Sequence, residues 1–171
     1  MLAYLSGSIE YAPDKGKTWR ASLTPFLRSL GHDVYDPAMD EKKNLTDEEV
    51  RNFRKWKVAD PERFRGTIRK IIDWDLDRVE QKCDYIVAFW DEYAQRGAGT
   101  GAELSLAYRR GIPVYLVAGV EVAQVSGWIL GCATQVFTGF DQLKEYLATI
   151  YAAVEESCAC CETRKADSAG I

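Results

Sequence analysis

Tyr85-Ile-Val-Ala-Phe-Trp90 is an unbroken apolar run that stops at Asp91. No polar residue alternates into it, so it reads as a strand covered on both faces, like the inner strands of a parallel sheet. The next segment fits a crossover: a polar, glycine-rich loop, then a helix from about Thr100 to Arg110. Gly111 stands where a helix cap belongs, and Pro113-Val-Tyr-Leu-Val117 is a second buried strand. Parallel strands joined through a helix cross over right-handedly, which fixes the architecture around this unit.

On the N-terminal side, Met1-Leu-Ala-Tyr-Leu5 is another short apolar strand, running into the tight loop Ser6-Gly7-Ser8. Trp19, Leu23, Phe26, Leu27 and Leu30 recur at helical spacing over residues 17–30, ahead of Gly31. Asp33-Val34-Tyr35 is a brief strand ended by Asp36-Pro37. Residues 38–60 are highly charged and read as a partly helical insertion, a lid or a subunit contact. From Pro61 to Lys82, Phe64, Ile68, Ile71, Ile72, Leu76 and Val79 mark a long amphipathic helix, with Pro61 suited to its first turn. Val136-Phe137 and residues 141–153 supply a last strand and a closing helix. Strands alternate with helices throughout. The expected fold is therefore α/β, a three-layer Rossmann-like or flavodoxin-like five-stranded parallel sheet with helices on both faces. One domain over residues 1–154 and a flexible tail over 155–171 account for the chain.

Composition narrows the function classes. The chain has 171 residues, 47% hydrophobic and 28% charged, the balance of a packed globular protein. No run approaches the ~18 apolar residues a membrane helix needs, so no membrane partner is expected. The N-terminus lacks a basic n-region and reads as a strand rather than a signal peptide, which points to the cytoplasm. A net charge of −4 carries no basic stripe for a nucleic-acid polymer. Arg63, Arg65, Arg69 and Lys70 are balanced by Asp60, Glu62, Asp73, Asp75 and Asp77, and read as a solvated helix face. The five cysteines lack zinc-site spacing, three of them crowd into Cys158-Ala-Cys160-Cys161, and His32 is the only histidine. Neither a metal nor an organic cofactor is expected.

Ligands of such sheets bind beyond the carboxyl ends of the strands. That rule selects the loops Ser6–Gly16, Asp91–Thr100 and Ala118–Trp128. In the second of these, Gly97, Gly99 and Gly101 alternate, letting backbone approach a ligand, and Glu103 comes next in the expected first turn of the helix. There the helix dipole favours an ionised carboxylate, which attack on a sugar carbon requires. Thr100-x-x-Glu103 is equally a capping box, in which Glu103 would only satisfy a backbone donor. The glycines are not followed by Gly-Lys-Ser/Thr, which argues against a phosphate-cradling P-loop. Asp73, Asp75 and Asp77 cannot share one helix face, so at most one or two point into a site. Tyr4, on a buried strand, is core with a hydroxyl that needs a partner.

These segments together carry a resemblance. Tyr4-Leu-Ser-Gly7-Ser8, Asp75-Leu76 ahead of Cys83-Asp84, Ile86-Val-Ala-Phe-Trp-Asp91, Gly99-Thr-Gly-Ala-Glu103 and Gly111-Ile-Pro-Val resemble, in order and spacing, the nucleoside 2-deoxyribosyltransferase superfamily. That superfamily includes deoxynucleoside-monophosphate N-glycosidases and CMP-type hydrolases. The resemblance covers about residues 3–118 and continues loosely to Phe140.

It implies that Glu103 attacks the anomeric carbon, that an acid at Asp75 or Asp91 assists the departing base, and that Tyr4 orients the nucleophile. It implies substrate contacts from Gly7, Ser8, Ile9, Trp19, Gly97, Gly99 and Thr100. Gln124, four residues before Trp128, would hold the sugar 5′ end from a neighbouring subunit, which makes the protein a homo-oligomer with a shared site. The substrate would be a nucleoside or nucleotide, and the acceptor a nucleobase.

Two departures bear on specificity: Gly97 stands where relatives often carry Asp or Ser, and Glu10 stands where monophosphate hydrolases carry a basic residue. An acid at Glu10 would repel a phosphate and favour an unphosphorylated nucleoside. Hydrolysis without transfer, and a nucleotide-sensing module without turnover, are the competing expectations.

Overall fold

The apolar runs form one all-parallel sheet of β1 (Leu2–Gly7), β2 (Asp33–Tyr35), β3 (Tyr85–Trp90), β4 (Val114–Ala118) and β5 (Gln135–Phe137), in the order β2-β1-β3-β4-β5. The helices are α1 (Lys17–Ser29), α2 (Asp47–Ala59), α3 (Pro61–Gln81), α4 (Gly99–Arg110), α5 (Gly127–Cys132) and α6 over residues 140–151. The computed structural model describes residues 1–40 and 42–151. The cysteine-bearing tail, and Ala152 and Ala153 of the expected closing helix, lie outside the described residues.

Strand periodicity sorts the core into two layers. Ala3 and Leu5 of β1 and Tyr85 and Val87 of β3 face α1 and α6, where they meet Leu23, Leu27, Leu143 and Leu147. Tyr4 of β1 and Ile86, Ala88 and Trp90 of β3 face the opposite way, against Val79 of α3, Leu104 and Ala107 of α4, and Ile129 of α5. Each fully buried leucine in these layers contributes roughly 1.5–3 kcal/mol of hydrophobic stabilisation. The register sets Tyr4 beside Ile86 and Ser6 beside Ala88. Tyr4 and Ser6 therefore share the face that α4 covers.

The insertion becomes helical in α2, started by a capping box between Thr46 and Glu49. No residue of α2 is buried. It leans on α3 through Arg63–Glu48 and Lys70–Glu49, both 2.7 Å, and reaches the first loop through Lys57–Glu10 at 2.8 Å. Exposed pairs of this kind are worth about 0–1 kcal/mol each. Helix α2 is thus held far less firmly than the buried sheet. Arg63 and Lys70, which read as a solvated face, do stay exposed while pairing with α2.

Candidate active site

The strand order reverses between β1 and β3, and the loops that leave these two strands part there. A cavity of about 720 Å³ opens at this point. Gly7, Ser8 and Ile9 line it from the first loop, Gly97 from the loop after β3, Gly99, Thr100 and Glu103 from α4, and Asp75 from α3. The insertion forms another wall, with Leu45, Val50 and Phe53 among its contributions.

One buried cation shapes the first loop. Arg20 of α1 is 0% exposed and donates to the carbonyls of Leu5 (3.2 Å), Gly7 (2.9 Å) and Gly16 (3.0 Å). The Asp36 carboxylate lies 3.4 Å away and offsets its charge. The guanidinium thereby ties the end of β1 to the return of its loop. Gly16 closes that loop at a φ of 68°, and a Cβ there would sit 2.6 Å from the Ser8 carbonyl oxygen, so only glycine fits.

Glu103 is 9% exposed. Its Oε1 accepts from the Tyr4 hydroxyl at 2.7 Å, and its Oε2 accepts from the Ser6 hydroxyl. The capping-box alternative is not realised, because Ala98 caps α4 without a side-chain hydrogen bond and no acid lies in the first turn. Since α4 already begins at Gly99, Glu103 sits past its first turn, where the dipole acts weakly. The expected preference for the ionised form is reversed. Burial pushes the Glu103 carboxyl up to about 7, aided by the Asp75 charge and resisted by the bonds from Ser6 and Tyr4 and by Lys43. A carboxyl poised near neutrality in a cavity is a marker of functional sites.

Of the three alternating aspartates, Asp73 and Asp77 are exposed and Asp75 turns inward. Both Asp75 oxygens accept from Lys43 Nζ, at 2.7 and 2.6 Å. Burial pushes the Asp75 carboxyl up, and the lysine pulls it back down. Asp40 anchors the turn that delivers Lys43. It accepts from the Tyr35 hydroxyl at 2.8 Å, from Trp74 Nε1 at 2.9 Å and from the Lys43 backbone N–H at 3.3 Å. Tyr35 also packs on Tyr4, with ring centroids 5.4 Å apart. A continuous set of contacts therefore runs from the insertion to Glu103.

Asp91 and Trp19 lie elsewhere. They line a separate hollow of about 330 Å³ with Phe89, Tyr93 and Phe140. The Asp91 carboxylate accepts from the Tyr93 and Ala94 backbone N–H groups at 3.1 and 2.8 Å, while burial pushes its carboxyl up. Trp19 stacks on Phe140 and backs Gly7 from beneath the loop. Gln124 is exposed in the 3-10 turn Val122–Gln124 and is not among the residues that line the Glu103 cavity.

Sequence reading left Ser6, Arg20, Asp40 and Lys43 without roles. Ser6 carried a signal, because it stands two residues after Tyr4 on a strand and must share its face. Lys43 carried none, since it meets Asp75 across 32 positions of sequence.

Among the described residues, no group of three or more His, Cys, Asp or Glu side chains could hold a metal ion, and no helix is long and apolar enough to cross a membrane. No protein-family model matches the chain, and no curated protein matches it in sequence. Solved structures do match. A 2-deoxyribosyltransferase from Bacillus psychrosaccharolyticus is 19% identical, with 84% of this chain and 90% of that one covered at a TM-score of 0.54. A CMP N-glycosidase from Clostridium botulinum is 13% identical, with 88% and 99% covered at a TM-score of 0.51. The architecture expected from the sequence is thus shared with both, and the chain is built on the fold that carries a deoxyribosyltransferase and a nucleotide N-glycosidase.

Proposed function

We propose that the chain is an enzyme that cleaves the N-glycosidic bond of a nucleoside-type substrate by double displacement, with Glu103 as nucleophile. The observation that carries this reading is a buried carboxylate at the floor of a cavity, aimed by two hydroxyl donors from one strand. Glu103 attacks C1′ through an oxocarbenium-like transition state while an acid on the Asp75 side gives a proton to the departing base. A second nucleobase or water then releases the sugar from Glu103. Deoxyribosyl transfer to a nucleobase is the preferred outcome, and hydrolysis is the alternative. No metal or organic cofactor enters either step.

The test is incubation with a panel of nucleosides and their 5′-monophosphates, with and without free adenine, followed by product analysis and by mass spectrometry for a sugar adduct on Glu103. Exchange of bases supports transfer, and free sugar alone supports hydrolysis. Binding without turnover, unchanged in Glu103→Gln, would instead identify a nucleotide sensor.

A 5′-monophosphate substrate is favoured by a specific observation. Glu10, the acid expected to repel phosphate, is paired with Lys57, and Lys15, Arg51 and Arg54 line the same cavity. The repulsion is neutralised and the rim is cationic. The 5′-monophosphate is expected to exceed its nucleoside in kcat/KM by about fivefold at low salt, equivalent to about 1 kcal/mol of partly exposed ion pairing. The advantage should shrink as salt screens it. A nucleoside preference at low salt would restore the unphosphorylated substrate.

A homo-oligomer is part of the same proposal. Trp128 is 72% exposed, on α5 against α4, and its indole N–H donates to Ser105 at 2.8 Å. Tyr108 of α4 and Val122 are also exposed. Aromatic residues left outside a core are enriched at interfaces. Light scattering at micromolar concentration is expected to give at least a dimer, with Gln124 to Trp128 near a neighbour's cavity. A monomeric mass with full activity rules the shared site out.

A further inference from the structure

The insertion does more than wall the cavity, because it carries a cation into it. Lys43 is 7% exposed, deep for a lysine, and its ammonium covers both oxygens of Asp75. It is delivered by a turn in which Lys43 and Asn44 have φ of 33° and 63°, in the left-handed region that ordinary residues avoid. Such backbone costs about 1–3 kcal/mol per residue and persists where the surroundings over-determine it. Asp40 does so here, fixed by Tyr35 and Trp74 and gripping the Lys43 backbone N–H.

An ammonium has three N–H donors. Two are spent on Asp75, and the third has no partner among the described residues, while Lys43 lines the same cavity as Glu103. The groups bonded directly to Glu103 and to Lys43 are committed. Tyr4 and Ser6 donate to Glu103, and both Asp75 oxygens are engaged as acceptors of the Lys43 ammonium. Asp91 faces the separate hollow.

We propose that Lys43 is the acid that protonates the departing base, with Asp75 as the positioning residue that orients its ammonium. This rests on the N-glycosidic reading of the site. As a Glu103 oxygen bonds to C1′, the C1′–N bond breaks and its electron pair goes to the base. The base takes a proton from Nζ, which leaves Lys43 as a neutral amine on Asp75. In the second step that amine takes a proton from the attacking water or incoming base as the C1′–Glu103 bond breaks. The insertion therefore completes the catalytic set, and withdrawing it would disarm the site.

The experiment compares leaving groups. A guanine nucleoside or its 5′-monophosphate needs a proton as the base departs. The N7-methylated counterpart is already cationic and leaves as a neutral base without one. Lys43→Met is expected to slow the unmethylated substrate by about 10²–10³, the usual worth of general acid catalysis, and the methylated one by less than about fivefold. Because Lys43→Met leaves a buried carboxylate unpaired, Lys43→Met/Asp75→Asn serves as the second variant, and the same rescue is expected from it. Equal losses on both substrates in a folded variant overturn the proposal. If the wild type cleaves neither substrate, or Glu103→Gln remains active, the underlying reading fails and the proposal falls with it. A wild type that needs Glu103, combined with equal losses at Lys43, defeats the Lys43 assignment alone.

Discussion

Glu103→Gln is expected to lower kcat by at least ~10³, equivalent to ~4 kcal/mol of barrier, and at the same time to stabilise the fold. The amide keeps the shape, accepts from one of the two hydroxyls and donates to the other, which turns from donor to acceptor, but it cannot attack a sugar carbon. The stability change comes from linkage. The folded carboxyl titrates at about 7, above its ordinary 4.5, so between these values the folded state holds a proton that the unfolded state has lost. Stability falls as pH rises through that window, and above it the buried charge imposes its full cost. At pH 8 the variant should be more stable by about 2–4 kcal/mol, and the gap should close as pH falls towards 4. Chemical denaturation at both pH values and single-turnover kinetics measure the two effects. A folded variant that retains more than a tenth of the activity defeats the nucleophile assignment. A capping residue would lose about 1 kcal/mol of stability instead of gaining any.

The pH profile carries the second large effect. Attack needs the ionised carboxylate, so kcat/KM should fall tenfold per unit below about pH 7 and lie roughly 100-fold below its plateau at pH 5. The groups facing Glu103 give this profile internal controls. Tyr4 and Ser6 on β1 stabilise the charge by donating to it, Lys43 of the insertion draws it down, and Asp75 on α3 opposes it. Ser6→Ala and Tyr4→Phe should therefore move the acid limb to higher pH, and Asp75→Asn should move it to lower pH. A limb that stays near pH 4–5 in the wild type would mean that Glu103 is ionised without cost, and that another group limits the rate.

Both effects depend on features that were unequally visible in the sequence. The strands were legible because apolar runs such as Tyr85–Trp90 and Val114–Ala118 are local signals. The helices were legible because Leu23 and Leu27, or Ile68, Ile71 and Val79, repeat at 3.6 residues whatever packs on them. Parallel order was implied by crossover length and handedness. Glu103 was marked by its place after a glycine-rich loop and by resemblance, and Tyr4 by its strand.

Charge states and partnerships were decided only by the tertiary structure. The dipole argument for an ionised Glu103 was local, and it lost to burial, which is set by how α4 lies over β1. Asp75 and Asp91 were equivalent candidates in sequence, and the crossovers send them into different hollows. Glu10 read as a repulsive acid until Lys57 closed on it from 47 positions away. Lys43 read as one charge among many in a charged insertion until a turn in left-handed backbone set it on Asp75. Periodicity reports which face of an element is buried. Desolvation and Coulomb pairing depend on distances through space, and those exist only once the sheet has brought its loops together.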